Sequence, residues 1–241
     1  MSLYSKTRDR SPEALDFISK VSLFSGLKEE QRNEIARNMQ RRLFAPGVVL
    51  FHQDMPGVTL YMVEEGWIRI YSLGRTGQEH TLTIIGPEEV FGELSLLDNK
   101  LHSASAITLT PTVVWLLHRQ FLDDLLQRFS EVNQAMIQIL VNRMRTVINH
   151  AEAMTFQDVQ GRLAYEILLL AERHGKEIGD EIEIDIPLTQ TELATMVGAT
   201  RESVNKALTP LRAGDLIRVD GNLITVVDPD GLRRVVYERG R

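Results

Sequence analysis

The chain has 241 residues, of which 43% are hydrophobic and 25% charged, with a net charge of −6 and no cysteine. This is the composition of a globular protein of one large or two ordinary domains, and the lack of thiols excludes disulfides, thiol redox switching and a cysteine-held iron–sulfur cluster or zinc finger. No stretch is long and apolar enough to span a membrane. Residues 1–10 also lack the apolar core of a signal peptide, so a cytoplasmic location with no membrane partner is expected.

In chain order, Ser11-Pro12-Glu13 reads as a helix start, and Leu15, Ile18, Val21, Leu23 and Phe24 give an apolar face closed by Gly26. From Arg41 to His118 the pattern becomes short β runs punctuated by Gly47, Gly57, Gly66, Gly74, Gly77, Gly86 and Gly92. Many short strands separated by turn signals predict a sandwich or barrel. A short helix from Phe121 to Phe129 and a long one from Glu131 to Thr155 follow. On the long helix, Ile137, Leu140, Met144, Val147, Ala151 and Met154 alternate spacings of three and four, which is an a/d seam. Such a seam packs either on a second copy or on the chain's own barrel. The polar Arg143, Arg145, Asn149, His150 and Glu152 around it favour a homodimer paired through residues 137–154. Residues 156–158 read as a hinge, with Asp158 capping a helix from Val159 to Arg173, and Lys176 to Asp180 as a charged loop.

The most informative stretch begins at Thr189. Thr189 and Glu192 form a Ser/Thr-x-x-Glu capping box, Gly198 breaks the first helix, and Thr200 caps the second. Arg201, Glu202 and Ser203, then Asn205 and Lys206, occupy the start of that second helix, while Val204, Ala207, Leu208 and Leu211 face a core. In a major groove Arg201 reaches guanine, Glu202 the cytosine amino group, and Asn205 adenine. Thr189 and Gln190, at the first helix's N-terminus, are expected on phosphate. Two β runs flank Asp220-Gly221-Asn222, a hairpin that reads as a wing carrying Arg218 toward phosphate. The acidic net charge argues mildly against DNA binding. A local cluster of Arg201, Lys206, Arg212 and Arg218 answers that objection, because binding depends on local field.

A glycine-punctuated β-roll, a long helix and a winged helix-turn-helix, in that order, resemble the CRP/FNR family of bacterial transcription regulators. The resemblance rests on Pro46-Gly47 with Leu50-Phe51, the run from Leu60 to Ile70, Phe91-Gly-Glu-Leu-Ser-Leu-Leu97, Asp158 to Leu163, and Thr200 to Val204. It implies an α+β fold: an effector-sensing, cyclic-nucleotide-binding-like jelly roll over 11–130, a dimerisation helix and hinge over 131–157, and a winged helix-turn-helix over 158–241. It implies a homodimer on two-fold-related double-stranded DNA with half-sites about one helical turn, ~34 Å, apart, read as TGTGA-type sequences, and RNA polymerase as a candidate partner.

The resemblance also places an effector site on Gly92, Glu93, Leu94, Ser95, His102, Ser103, Arg143 and Val147. Cyclic-AMP binders of the family carry Arg-Ser/Thr-Ala where this chain has His102-Ser103-Ala104, and hydroxyl side chains where it has Val147-Ile148. The forked, permanently charged phosphate partner and the adenine contacts are thus replaced, which predicts no tight cyclic-AMP binding and leaves the effector and any cofactor unknown. Relatives also sense gases through haem. Six histidines are present (His52, His80, His102, His118, His150 and His174), none in a close metal-binding pair, so a metal is not expected and a haem-based gas sensor, through His80 or His102 of the roll, is kept only as an alternative. No P-loop, nucleophile–base pair or metal triad supports an enzyme. A ligand-independent DNA-binding protein with the roll as scaffold stays open.

Overall fold

The computed structural model describes residues 11–238, so the reading of residues 1–10 as lacking a signal peptide lies outside the described residues. Contacts divide the chain into two compact units, one of residues 1–69 with 85–142 and the other of residues 70–84 with 143–241. The division falls inside the long helix and assigns most of one β-hairpin of the roll, residues 70–84, to the second unit.

The first unit opens with α1 (Ser11–Lys20) and α2 (Glu29–Ala36). Twelve strands follow along the chain, eight of them in the roll: β1 (Gln40–Phe44), β2 (Val49–Phe51), β3 (Thr59–Glu65), β4 (Ile68–Leu73), β5 (Glu79–Ile85), β6 (Val90–Phe91), β7 (Ser105–Thr108) and β8 (Thr112–His118). They form two four-stranded sheets, ordered β1-β8-β3-β6 and β2-β7-β4-β5. Antiparallel pairing of β3 on β8 sets Leu60 opposite Leu117 and Met62 opposite Trp115, and all four side chains are buried. Trp115 stacks on Phe17 of α1, with centroids 6.0 Å apart, and donates from Nε1 to Glu64 at 2.7 Å. Arg41 grips the same carboxylate from the neighbouring strand at 2.6 and 2.8 Å, so Glu64 takes charge-assisted bonds from two strands. The five-residue α3 (Glu93–Leu97) bridges β6 and β7.

After α4 (Arg119–Arg128) comes α5 (Ser130–Phe156), 27 residues long. Its first turns bury Val132 and Met136 in the first unit's core, and Leu140 packs partly against it. Ile137, Met144 and Val147 are exposed at 60%, 58% and 67%, with Ile148 at 49%. The predicted a/d seam is therefore not uniform. Leu140 turns to its own core, and Met154 lies against Gly198, whose Cβ, if added, would come within 3.3 Å of the methionine methyl.

In the second unit α6 (Val159–His174) starts on Asp158, whose carboxylate accepts from Gly161 N at 2.8 Å. The expected charged loop at 176–180 is a strand instead: β9 (Gly175–Ile178) pairs with β10 (Glu181–Ile184). Its polar side chains hid it, because an edge strand needs only one ladder and no buried face. α7 (Gln190–Val197), α8 (Arg201–Ala213), β11 (Ile217–Asp220), β12 (Leu223–Val226) and α9 (Pro229–Glu238) complete the chain. The sheet order is β11-β12-β10-β9. Leu163, Ile167, Val204, Leu208, Leu211, Ile217 and Ile224 make the core beneath it.

Candidate nucleic-acid interface and roll cassette

The reading head is assembled by short-range chemistry. The capping box at Thr189 is closed: Glu192 N donates to Thr189 Oγ1 at 3.2 Å, and Thr189 N donates to the Glu192 carboxylate at 2.6 Å. Gly198 ends α7 in the left-handed region at φ 60, a conformation that costs a glycine little. Thr200 Oγ1 accepts from Ser203 N at 3.1 Å and starts α8. Along α8, Val204, Ala207, Leu208 and Leu211 are buried while Arg201, Glu202, Asn205 and Lys206 are exposed, so one face is core and the opposite face is free to read. Pro210 sits inside α8 on the exposed face, near its C-terminal end.

The exposed groups are pre-arranged by weak contacts. Gln190 Oε1 accepts from Arg201 Nε at 3.4 Å, Gln190 Nε2 donates to Asn205 at 3.3 Å, and Lys206 pairs with Glu202 at 2.7 Å. A groove of about 400 Å³ lies between the start of α7, α8 and the wing, lined by Thr189, Gln190, Arg201, Arg212, Gly221 and Asn222. Arg212, which the sequence placed only in the basic cluster, thus lines the same groove as Thr189, Gln190 and Arg201. The wing turn is a two-residue loop between paired Asp220 and Leu223, with Gly221 at φ 59. Arg218 does not reach out alone. Its guanidinium is bidentate to Glu181 of β10, one bond measuring 3.1 Å, and the pair holds the exposed Glu181 carboxyl below its ordinary range.

In the first unit, Gly92 takes φ 82 and opens α3. An added Cβ would meet Thr59 O and the Tyr61 ring, both at 3.1 Å. Glu93 and Ser95 are buried, Leu94 and Ser103 are exposed. Ser95 Oγ donates to Gly92 O at 3.1 Å and lies 3.3 Å from His102 Nδ1. The His102 ring is buried and stacked on Phe51, centroids 3.8 Å apart and planes within 10°. Burial pushes the imidazole below its ordinary value, partly opposed by the Glu93 charge, so the ring is neutral near pH 7. Arg119, which carried no signal in the sequence, donates to the carbonyls of Leu96 at 3.0 Å, Gly57 at 3.0 Å and Ser95 at 2.6 Å, and fixes the end of α3. Arg143, half-buried, and Val147, exposed, lie on the α5 segment that belongs to the second unit. Among the described residues no group of three or more His, Asp or Glu could hold a metal ion, and no helix is long and apolar enough to cross a membrane.

Fold and surface together define a DNA-binding transcription regulator that carries a cyclic nucleotide-binding domain. Residues 41–129 match the cyclic nucleotide-binding domain family and residues 161–235 the Crp-like helix-turn-helix domain. A CRP-like cAMP-activated global transcriptional regulator of Mycobacterium tuberculosis is 32% identical over 219 residues, covering 91% of this chain and 98% of the relative. The cyclic AMP receptor protein of Thermus thermophilus is 32% identical over 89% of this chain and 96% of its own length. The solved Thermus thermophilus catabolite activator protein is 30% identical and superposes with a TM-score of 0.51 over 90% of this chain and 99% of that one. FixK2 from Bradyrhizobium japonicum, at 20% identity, shares the fold with a TM-score of 0.74 over 82% and 96% of the two chains. The chain belongs to the CRP/FNR family of transcription regulators. These two curated relatives are regulators of transcription.

Proposed function

We propose that the protein is a homodimeric, sequence-specific regulator that reads a two-fold-related site, with Arg201, Glu202, Asn205 and Lys206 on base edges and Ser203, Thr189 and Gln190 on the backbone. The observation that carries this is the division of α8 into a buried apolar face and an exposed face bearing all four base-reading side chains. Dimerisation is supported by the uncovered apolar row Ile137, Met144, Val147 and Ile148 on α5, since apolar side chains repeating at three and four along a helix are stabilised by a facing copy. RNA polymerase is a candidate partner once the site is filled. Arg218 contributes less to phosphate than its place on the wing suggests, because Glu181 already neutralises it. Sedimentation combined with binding to inverted-repeat and scrambled duplexes tests the reading. Dimers that prefer the repeat are expected, and monomers without preference would sink it.

The effector reading is narrower. The residues proposed for an effector are Gly92, Glu93, Leu94, Ser95, His102 and Ser103 on the roll, with Arg143 and Val147 on α5 as further candidates, and the natural ligand is a small molecule other than tightly bound cyclic AMP. Support comes from His102, which is neutral and stacked on Phe51 where a cyclic phosphate needs a cation. Calorimetry with cyclic AMP is expected to show no micromolar binding, and such binding coupled to tighter DNA affinity would overturn it.

A further inference from the structure

The last turn of α7 is held in an unusual way. A helix leaves its final four carbonyls without intrahelical partners. Here the N–H groups of Gly198 and Ala199 both donate to Ala194 O, which leaves the carbonyls of Thr195, Met196 and Val197 to find other donors. Each finds one side chain, and the three come from three different elements of the second unit. His80 Nδ1 of β5 donates to Thr195 O at 2.8 Å, His150 of α5 hydrogen-bonds the Met196 carbonyl, and Arg162 Nε of α6 donates to Val197 O at 2.8 Å. A carbonyl only accepts, so His80 carries its proton on Nδ1.

The clamp is braced behind its first contacts. Thr81 Oγ1 meets Thr195 Oγ1 at 2.7 Å, Arg173 of α6 donates to Thr83 Oγ1 at 2.9 Å, and Arg162 Nη1 donates to Gln157 O at 2.9 Å. His150 Nε2 lies 3.1 Å from the buried Glu166 carboxylate, and the His80 and His150 rings stand 6.3 Å apart. Successive carbonyls of an α-helix point about 100° apart around its axis. Three anchors on consecutive carbonyls therefore fix the helix's rotation as well as its direction, and two anchors leave a free rotation about the line that joins them.

Resting on the regulator reading above, we propose that His80 and His150, with Arg162, are positioning residues of the reading head: they set the rotation of α7, and through the Gly198 turn the attitude of α8. The β4–β5 hairpin tip thereby becomes a lever, because moving His80 releases one of three anchors. None of the three touches the exposed reading face of α8, so the clamp aims the head without covering it.

His80 is half-buried on a strand and suits a test in the full-length protein. His80→Ala removes the donor, while His80→Asn puts an amide nitrogen near the place of Nδ1. Three duplexes carry inverted TGTGA half-sites, spaced one helical turn apart, one base pair more and one base pair less. Wild type and His80→Asn are expected to favour the one-turn duplex by about tenfold, and His80→Ala to bind all three within about twofold, since each base pair rotates a half-site by about a tenth of a turn. Without DNA, amide exchange in residues 190–199 is expected to quicken several-fold in His80→Ala and not in His80→Asn. Unchanged exchange in His80→Ala overturns the clamp whatever the DNA shows, and faster exchange with an unchanged spacing profile overturns its positioning role. A wild type indifferent to all three duplexes overturns the regulator reading alone, with the exchange measurement still deciding the clamp.

Discussion

The reading head and the roll cassette both open a short helix at a turn that uses a left-handed glycine, yet they are built in opposite ways. At the head, Thr189, Glu192, Gly198 and Thr200 act on partners no more than five residues away. At the cassette, Gly92 is crowded by Thr59 and Tyr61, His102 is stacked on Phe51, and Arg119 reaches back to Gly57. Helix ends set by local contacts keep their form while the exposed residues vary, even where the last carbonyls of α7 take distant partners. A site made of distant contacts is expected to change character when one member, such as His102, changes.

The sharpest way to break this comparison is Arg201→Ala. Loss of roughly 1–3 kcal/mol in operator affinity with relaxed choice at one base pair is expected, measured by titrating duplexes changed at single positions. A uniform loss across sequences would mark Arg201 as a phosphate contact. Next is Glu166→Gln, read by denaturation against pH. Burial pushes Glu166 from about 4.5 up to about 8, partly opposed by Arg173, and pushes the adjoining His150 down from 6.5. The two placements of the shared proton, an ion pair or a neutral pair, differ in desolvation cost, and burial of both groups favours the neutral one. The folded state holds the Glu166 proton that the unfolded chain has released. Its contribution is thus complete below about pH 4.5 and is lost as pH rises through about 8. The His150 slope has the opposite sign and lies below its unfolded value of 6.5. Between pH 6.5 and 8.5 the wild type should lose about 2 kcal/mol of stability and the Gln variant almost none.

His102→Arg sharpens the contrast from the cassette side. Supplying a forked cation beside Glu93 is expected to raise cyclic-AMP affinity about tenfold by calorimetry, with operator preference unaltered. The smallest effect is expected from Arg218→Ala. The pair with Glu181 is exposed, so stability should change by less than about 1 kcal/mol in thermal melts, and the salt dependence of DNA binding by less than one phosphate contact.

What the sequence made legible follows the same division. The capping box, the Gly198 break, the Thr200 cap, the wing hairpin and the Asp158 start of α6 were all readable, because each is a residue type acting on a nearby backbone group. The roll was readable as a class from its glycine rhythm. The tripod on α7 and the role of Arg119 were not, since each depends on residues brought together from more than twenty positions away, and β9 was hidden by its polar side chains although its partner β10 follows directly. The a/d spacing on α5 is periodic in the sequence. Periodicity alone could not show that Leu140 and Met154 would turn to nearer partners.

The Trp115 stack on Phe17 has a practical consequence. The chain's two tryptophans, Trp67 and Trp115, both fall in the first unit. Tryptophan fluorescence, excited beyond the tyrosine band, therefore watches that unit alone, whereas far-ultraviolet ellipticity also sums the helices α6 to α9. Denaturation curves from the two signals coincide only when the halves melt together, which makes an unmodified sample its own gauge of how tightly they cooperate.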